Sequence, residues 1–146
     1  MPQARAPATS ANHVDVLIVG AGISGVGAAY HLQQQCADRS YLVLEAQPDF
    51  GGTWFTHRYP GIRSDSDLFT FGYRFKPWTG APIATAAQIR RYVGEVIEDN
   101  GIGSHTRYRH KVIAAQWHSD KQRWTLQVRV GGSEGEGEGD EIQQFS

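Results

Sequence analysis

The sequence predicts an α/β fold in which a parallel β-sheet carries helices and is followed by a β-hairpin or meander. Three observations predict it. The apolar stretch Val14–Val19 runs straight into a glycine-rich turn. A helical stretch with small residues and a second apolar run, Tyr41-Leu42-Val43-Leu44, follow within about 30 residues, the span of a βαβ unit. Two short β-rich segments, Val112–Trp117 and Trp124–Val130, flank the polar tetrapeptide Ser119-Asp120-Lys121-Gln122.

The elements follow in order. Residues 1–13, rich in Pro, Ala and Ser, read as a disordered leader. Val14–Val19 lacks polar–apolar alternation, which suits a parallel strand buried on both faces. Ile23–Gln35 reads as a helix with Gly25, Ala28 and Ala29 on its small face. Residues 49–82 have no clear period but carry many aromatic side chains, as a packed, irregular segment would. Thr85-Ala86-Ala87-Gln88 resembles a capping box, opening a helix with Ile89, Tyr92, Val93, Val96 and Ile97 on one face and Gly101 just past its end. In 124–130, Trp124, Leu126, Val128 and Val130 alternate with polar residues. Residues 131–146 read as a Gly/Glu-rich segment and the start of a truncated strand.

Composition narrows the class. The 146 residues carry 14 Lys+Arg and 15 Asp+Glu, with 40% hydrophobic side chains, as in a soluble globular domain. Five of the acids and none of the basic residues fall in 131–146. All 14 basic residues therefore lie in residues 1–130, dispersed rather than clustered, so no nucleic-acid partner is expected. No run is long enough for a transmembrane segment and the N-terminus lacks a signal-peptide core, which points to a cytoplasmic protein. Cys36 is the only cysteine, excluding an internal disulfide or a Cys-based metal site, and it reads as an inert thiol.

Gly20-x-Gly22-x-x-Gly25, between strand and helix, carries the chemistry. Gly20 allows the tight turn, and Gly22 lets backbone approach a pyrophosphate. Gly25 lets helix and strand pack closely, and the helix N-terminus presents N–H groups to phosphate. Glu45 stands 20 residues after Gly25 at the end of the second strand, where its carboxylate can accept both ribose hydroxyls of an adenosine. The same charge would repel a 2′-phosphate, so this site suits FAD or NAD rather than NADP. Ala29, which extends the glycine pattern, and the pair Gly51-Gly52 are features common to FAD-binding Rossmann-like domains.

At Gly51-Gly52-Thr53-Trp54 and Arg58-Tyr59-Pro60-Gly61-Ile62-Arg63-Ser64-Asp65 the chain resembles the class B flavin-dependent monooxygenases of the Baeyer–Villiger branch. FGYRFKPWTG and HKVIAAQW make it similar to the ethionamide-activating type within that branch. The likeness runs from about Val14 to Val130. It implies the N-terminal part of an FAD-binding domain over 14–130, incomplete in this chain. It implies that Gly20, Gly22, Ser24 and Gly25 meet the FAD pyrophosphate and that Glu45 holds the ribose. Gly52, Thr53 and Trp54 would line the flavin end. Asp65 would stand beside the flavin as the catalytic carboxylate, NADP contacts would lie near Arg63, Ser64 and Asp65, and backbone at Val112 would meet the adenine. The implied chemistry is NADPH reduction of FAD, then O₂ transfer to a small-molecule ketone, or to sulfur or nitrogen, through a C4a-peroxyflavin.

Blander readings stand beside these. Asp65 with Arg63 is also what a surface ion pair looks like. Trp54 could be core filler, His57 a loop histidine, and the aromatics from Phe69 to Trp78 packing groups. The family's second glycine-rich motif and later active-site arginine are absent from these residues. The chain is therefore expected to be an N-terminal fragment or truncated product without full turnover. Another FAD enzyme (a disulfide reductase or an amine oxidase) and a non-catalytic nucleotide-binding module remain open. The lack of a cysteine pair counts against the reductase.

Overall fold

The structure, a computed structural model, describes residues 12–131 and 141–146. Strand β1 (Val16–Val19) leads through the glycine turn into α1 (Ile23–Gln35) and then β2 (Tyr41–Leu44). Two single-turn helices, α2 (Thr53–Thr56) and α3 (Leu68–Phe71), punctuate the aromatic segment before α4 (Ala86–Asp99). A 3₁₀ turn (Ile102–His105) feeds the two-residue β3 (Thr106–Arg107). Strands β4 (His110–His118), β5 (Arg123–Val130) and β6 (Glu141–Phe145) complete the chain. The first sheet is parallel in the order β1-β2-β3 and the second is an antiparallel meander, β4-β5-β6. The expected architecture is present.

Strand alternation sorts side chains into two cores. Val16, Ile18, Tyr41 and Val43 face the helices, where they meet Val26 and Ala29 of α1 and Ile89, Val93 and Val96 of α4. Leu17, Leu42 and Leu44 face the other way, onto Leu126, Val128 and Phe145 of the meander. The parallel sheet is thus the middle of three layers. Each fully buried aliphatic side chain among these is worth about 1.5–3 kcal/mol.

Helix α4 forms where its sequence signals place it. The Thr85 hydroxyl accepts the Gln88 N–H at 3.3 Å and the Gln88 side chain accepts the Thr85 N–H at 2.9 Å, closing a capping box. Beyond Asn100, Gly101 takes the left-handed conformation (φ +62) that favours glycine after a helix.

Three local expectations are corrected. Strand β1 packs on both faces, Val16 and Ile18 toward the helices and Leu17 toward the meander, but it is only half-buried and Val19 at its end is 62% exposed. It is an edge strand among the described residues. On α1, Ala28 faces solvent, and the buried residues are Val26, Gly27 and Ala29. The stretch 49–82, read as wholly irregular, contains α2 and α3. Its aromatics stack on one another. Tyr73 lies between Phe75 and Tyr92 at ring-centroid distances of 4.6 and 5.7 Å, and Gly27 of α1 leaves room for its ring.

Residues 1–11 of the expected leader and 132–140 of the Gly/Glu-rich segment lie outside the described residues. Asn12 and His13 are tied down. The Asn12 carbonyl accepts the Ser146 N–H, its side chain accepts from Arg107, and a ring nitrogen of His13 is 3.0 Å from the Ser146 hydroxyl.

Candidate nucleotide-binding site

The two glycine motifs, some 30 residues apart in sequence, meet backbone to backbone. The Gly51 N–H donates to the Ala21 carbonyl at 3.0 Å. A Cβ placed on Gly52 would come within 3.1 Å of the Gly22 Cα, a tight approach, whereas one on Gly22 would meet the Gly52 Cα at an ordinary 3.5 Å. Gly25 is more tightly held: a Cβ there would lie 1.9 Å from the Gly20 carbonyl oxygen. Its role as the close-packing glycine between turn and helix is therefore steric.

Between these backbones runs a groove of 230 Å³ lined by Gly20, Gly22, Ser24, Gly25, Gly52, Thr53 and Trp54, with Val19, Ile23 and Gly51. Gly22 caps α1 without a side-chain hydrogen bond. The N–H groups that any helix leaves without intrahelical partners in its first turn therefore border the groove, and they carry the positive end of the helix dipole. A short anion such as pyrophosphate fits such a wall. Trp54, half-buried, lines the groove and makes an edge-on contact with Phe71 at 6.5 Å. It is both core and lining.

Glu45, only 6% exposed, sits where β2 ends. Its Oε2 accepts the Ala21 N–H at 2.7 Å and its Oε1 the Gln47 N–H at 2.8 Å. A carboxylate has about four acceptor sites, so both oxygens retain one for ribose hydroxyls. The chain crosses this end again, with the His110 N–H donating to the Glu45 carbonyl at 2.9 Å. Tyr108 lies nearby. Burial pushes its hydroxyl pKa up, and the carboxylates of Asp49 and Glu45 push it further.

Other expected site residues stand apart from the groove. Arg63, Ser64 and Asp65 run beside the start of α4, where Arg63 bridges Thr85 and the Ser64 N–H donates to Ala84. The Ser64 hydroxyl is spent internally, donating to the Ser66 carbonyl at 2.7 Å and accepting the Ser66 N–H. Arg63 Nε donates to the Gly61 carbonyl, Asp65 is exposed, and no ion pair among the described residues joins the two. Val112 pairs with Val128 in the meander, next to a register shift at Ile113, and packs its side chain on the second core. Ala21 was not anticipated. It serves through its backbone N–H and carbonyl alone, and no side-chain pattern announces that.

A larger cavity of 690 Å³ lies between β1 and the β4–β5 hairpin, bounded by Leu17, Leu126, Trp117 and Trp124. Apolar side chains make up the larger part of its walls, and His13, Asp15 and Arg123 also line it. No helix among the described residues is long and apolar enough to cross a membrane.

Comparison with known proteins agrees with the fold. The family described as an NAD(P)-binding Rossmann-like domain matches residues 18–82. The FAD-containing monooxygenase EthA of Mycolicibacterium smegmatis is 50% identical over 123 residues, covering 84% of this chain and 25% of that protein. EthA of Mycobacterium tuberculosis H37Rv is 52% identical over 122 residues, covering 83% and 25%. Among solved structures, an oxidized steroid monooxygenase bound to NADP superposes with a TM-score of 0.74 at 28% identity, over 80% of this chain and 23% of that one. The chain thus resembles FAD-containing monooxygenases and spans about a quarter of the length of the curated relatives it matches.

Proposed function

We propose that this chain is the FAD-binding N-terminal portion of an NADPH-dependent monooxygenase of the Baeyer–Villiger type, acting in the cytoplasm. The observation that carries the reading is the meeting of Gly22 and Gly52 across a backbone-lined groove that Glu45 flanks. Half-identity to EthA over most of the chain supports it.

The residues present fit FAD. The groove along Gly20, Gly22, Ser24 and Gly25 takes the pyrophosphate against the first turn of α1. The free acceptor sites of Glu45 orient the ribose, and backbone at Val112 is assigned to the adenine. Gly52, Thr53 and Trp54 lie along the flavin end, where Trp54 keeps bulk water from one side. Bound FAD, once reduced by NADPH, supplies the electrons that activate O₂ for transfer to a small molecule, a ketone or a sulfur or nitrogen centre. Asp65, with Arg63 and Ser64 on the NADP side, is assigned to the electrostatics of that step. Its exposure leaves room for groups to pack over it.

The test is the visible absorbance of the purified chain after incubation with FAD and desalting. A retained flavin spectrum, lost in Glu45→Ala, is expected. A colourless, folded wild-type chain would sink the proposal.

A further inference from the structure

We propose that Arg90 is a positioning residue for the nucleotide groove: from α4 it clamps residues 49–55 so that Gly51 and Gly52 stay pressed against Ala21 and Gly22. The inference rests on reading that groove as the FAD site. Arg90 lines no part of the groove and acts through the turn beneath it.

Three anchors bracket the glycine pair. On one side, Arg90 Nη2 meets the Asp49 carboxylate at 2.6 Å. The guanidinium carbon also lies 5.2 Å from the Phe50 ring centre and 5.1 Å from that of Phe55 on the other side. Between them, the arginine runs directly under Gly51. A Cβ there would be 3.1 Å from Arg90 Nε and 3.2 Å from its Cγ. Nε itself is buried and makes no hydrogen bond. A buried donor without an acceptor opposes this placement, so the contacts on either side must hold the guanidinium against that cost.

The turn needs such a hold. Gly51 (φ +123) and Gly52 (φ +55) occupy conformations that glycine alone adopts readily, and glycine also leaves them readily. Apart from the clamp, the Gly51 N–H bond to Ala21 and the approach of Gly52 to Gly22 are what fix the pair to the groove. Arginine is suited to the task and lysine is not. A planar guanidinium can ion-pair at its edge while its faces meet aromatic rings, whereas an ammonium is a point charge that favours hydration.

The experiment is amide hydrogen exchange on the ligand-free 146-residue chain, followed by FAD affinity on the same samples. Arg90→Lys and Asp49→Asn are each expected to speed Gly51 exchange by about tenfold, the scale of one charge-assisted hydrogen bond. Exchange at Val93 and Val96 in α4 should stay unchanged. The double variant should do little more than either single one, because both cut the same contact. FAD affinity should fall in parallel, by about the same factor. Unchanged Gly51 exchange in both single variants overturns the clamp, whether or not FAD binds. Acceleration spread evenly over α4 also overturns it, since that marks general loosening. A wild-type chain that protects Gly51 yet binds no FAD refutes the cofactor reading, while the exchange data still decide the clamp.

Discussion

The Glu45 carboxylate accepts the Ala21 N–H at 2.7 Å, joining the end of β2 to the middle of the glycine turn 24 residues earlier. Glu45 is thus a brace for the turn as well as a candidate ribose ligand. The two roles use different lone pairs of the same group.

Glu45→Gln separates them. The amide keeps one acceptor oxygen but turns an NH₂ toward either Ala21 or Gln47, leaving a buried donor unsatisfied. A loss of about 1–3 kcal/mol in stability is expected without any ligand, measured by urea unfolding. FAD affinity should fall further than that loss explains. Unchanged unfolding would show that the brace contributes nothing.

Gly25→Ala tests the steric reading of the turn. The added Cβ would sit 1.9 Å from the Gly20 carbonyl oxygen, so the turn or the helix start must move. A loss of about 3 kcal/mol or more is expected, together with loss of flavin binding. Gly103→Ala is the control. Its Cβ would meet nothing closer than 3.6 Å, and an effect within about 1 kcal/mol is expected from thermal melting.

Tyr73 predicts the alkaline limit. Burial, and secondarily the neighbouring Tyr92, push its pKa well above the ordinary tyrosine value, while its hydroxyl donates to the Ile23 carbonyl at the start of α1. A folded-state pKa above the unfolded one means that its contribution is fully present below about pH 10 and lost as pH rises toward the folded value. Phenolate absorbance at Tyr73 should therefore appear together with unfolding. Titration of this ring in a chain that stays folded would contradict the assignment. Tyr73→Phe should flatten the alkaline loss.

Asp65→Asn addresses the carboxylate outside the groove. Because the side chain is exposed, stability should change by no more than about 0.5 kcal/mol and FAD affinity should hold, both measured on this chain. Any effect on oxygen transfer should appear only in a protein of the relatives' length. A large drop in FAD affinity here would mean that Asp65 reaches the cofactor directly.

Much of this was legible in the residues. The glycine spacing, the apolar run before it and Glu45 at the end of β2 are local signals, each tied to one backbone geometry, and all three fall where expected. The capping box of α4 and its buried face are local too, since 3.6-residue periodicity needs no partner to be seen. The single turns α2 and α3 were not legible, because four residues are too few to show a period. Strand β3, two residues long, exists only because β2 lies beside it.

What the sequence determined by itself is the βαβ unit and which glycines form the turn between β1 and α1, because those depend on spacing and on the absence of side chains. Only the tertiary structure decided that Gly52 meets Gly22, that Glu45 is braced by Ala21, and that Arg90 lies under Gly51. Each joins backbone or side chains from distant segments. Such contacts are set by how the helices and the meander pack on opposite faces of the parallel sheet, and no periodicity along the chain encodes them.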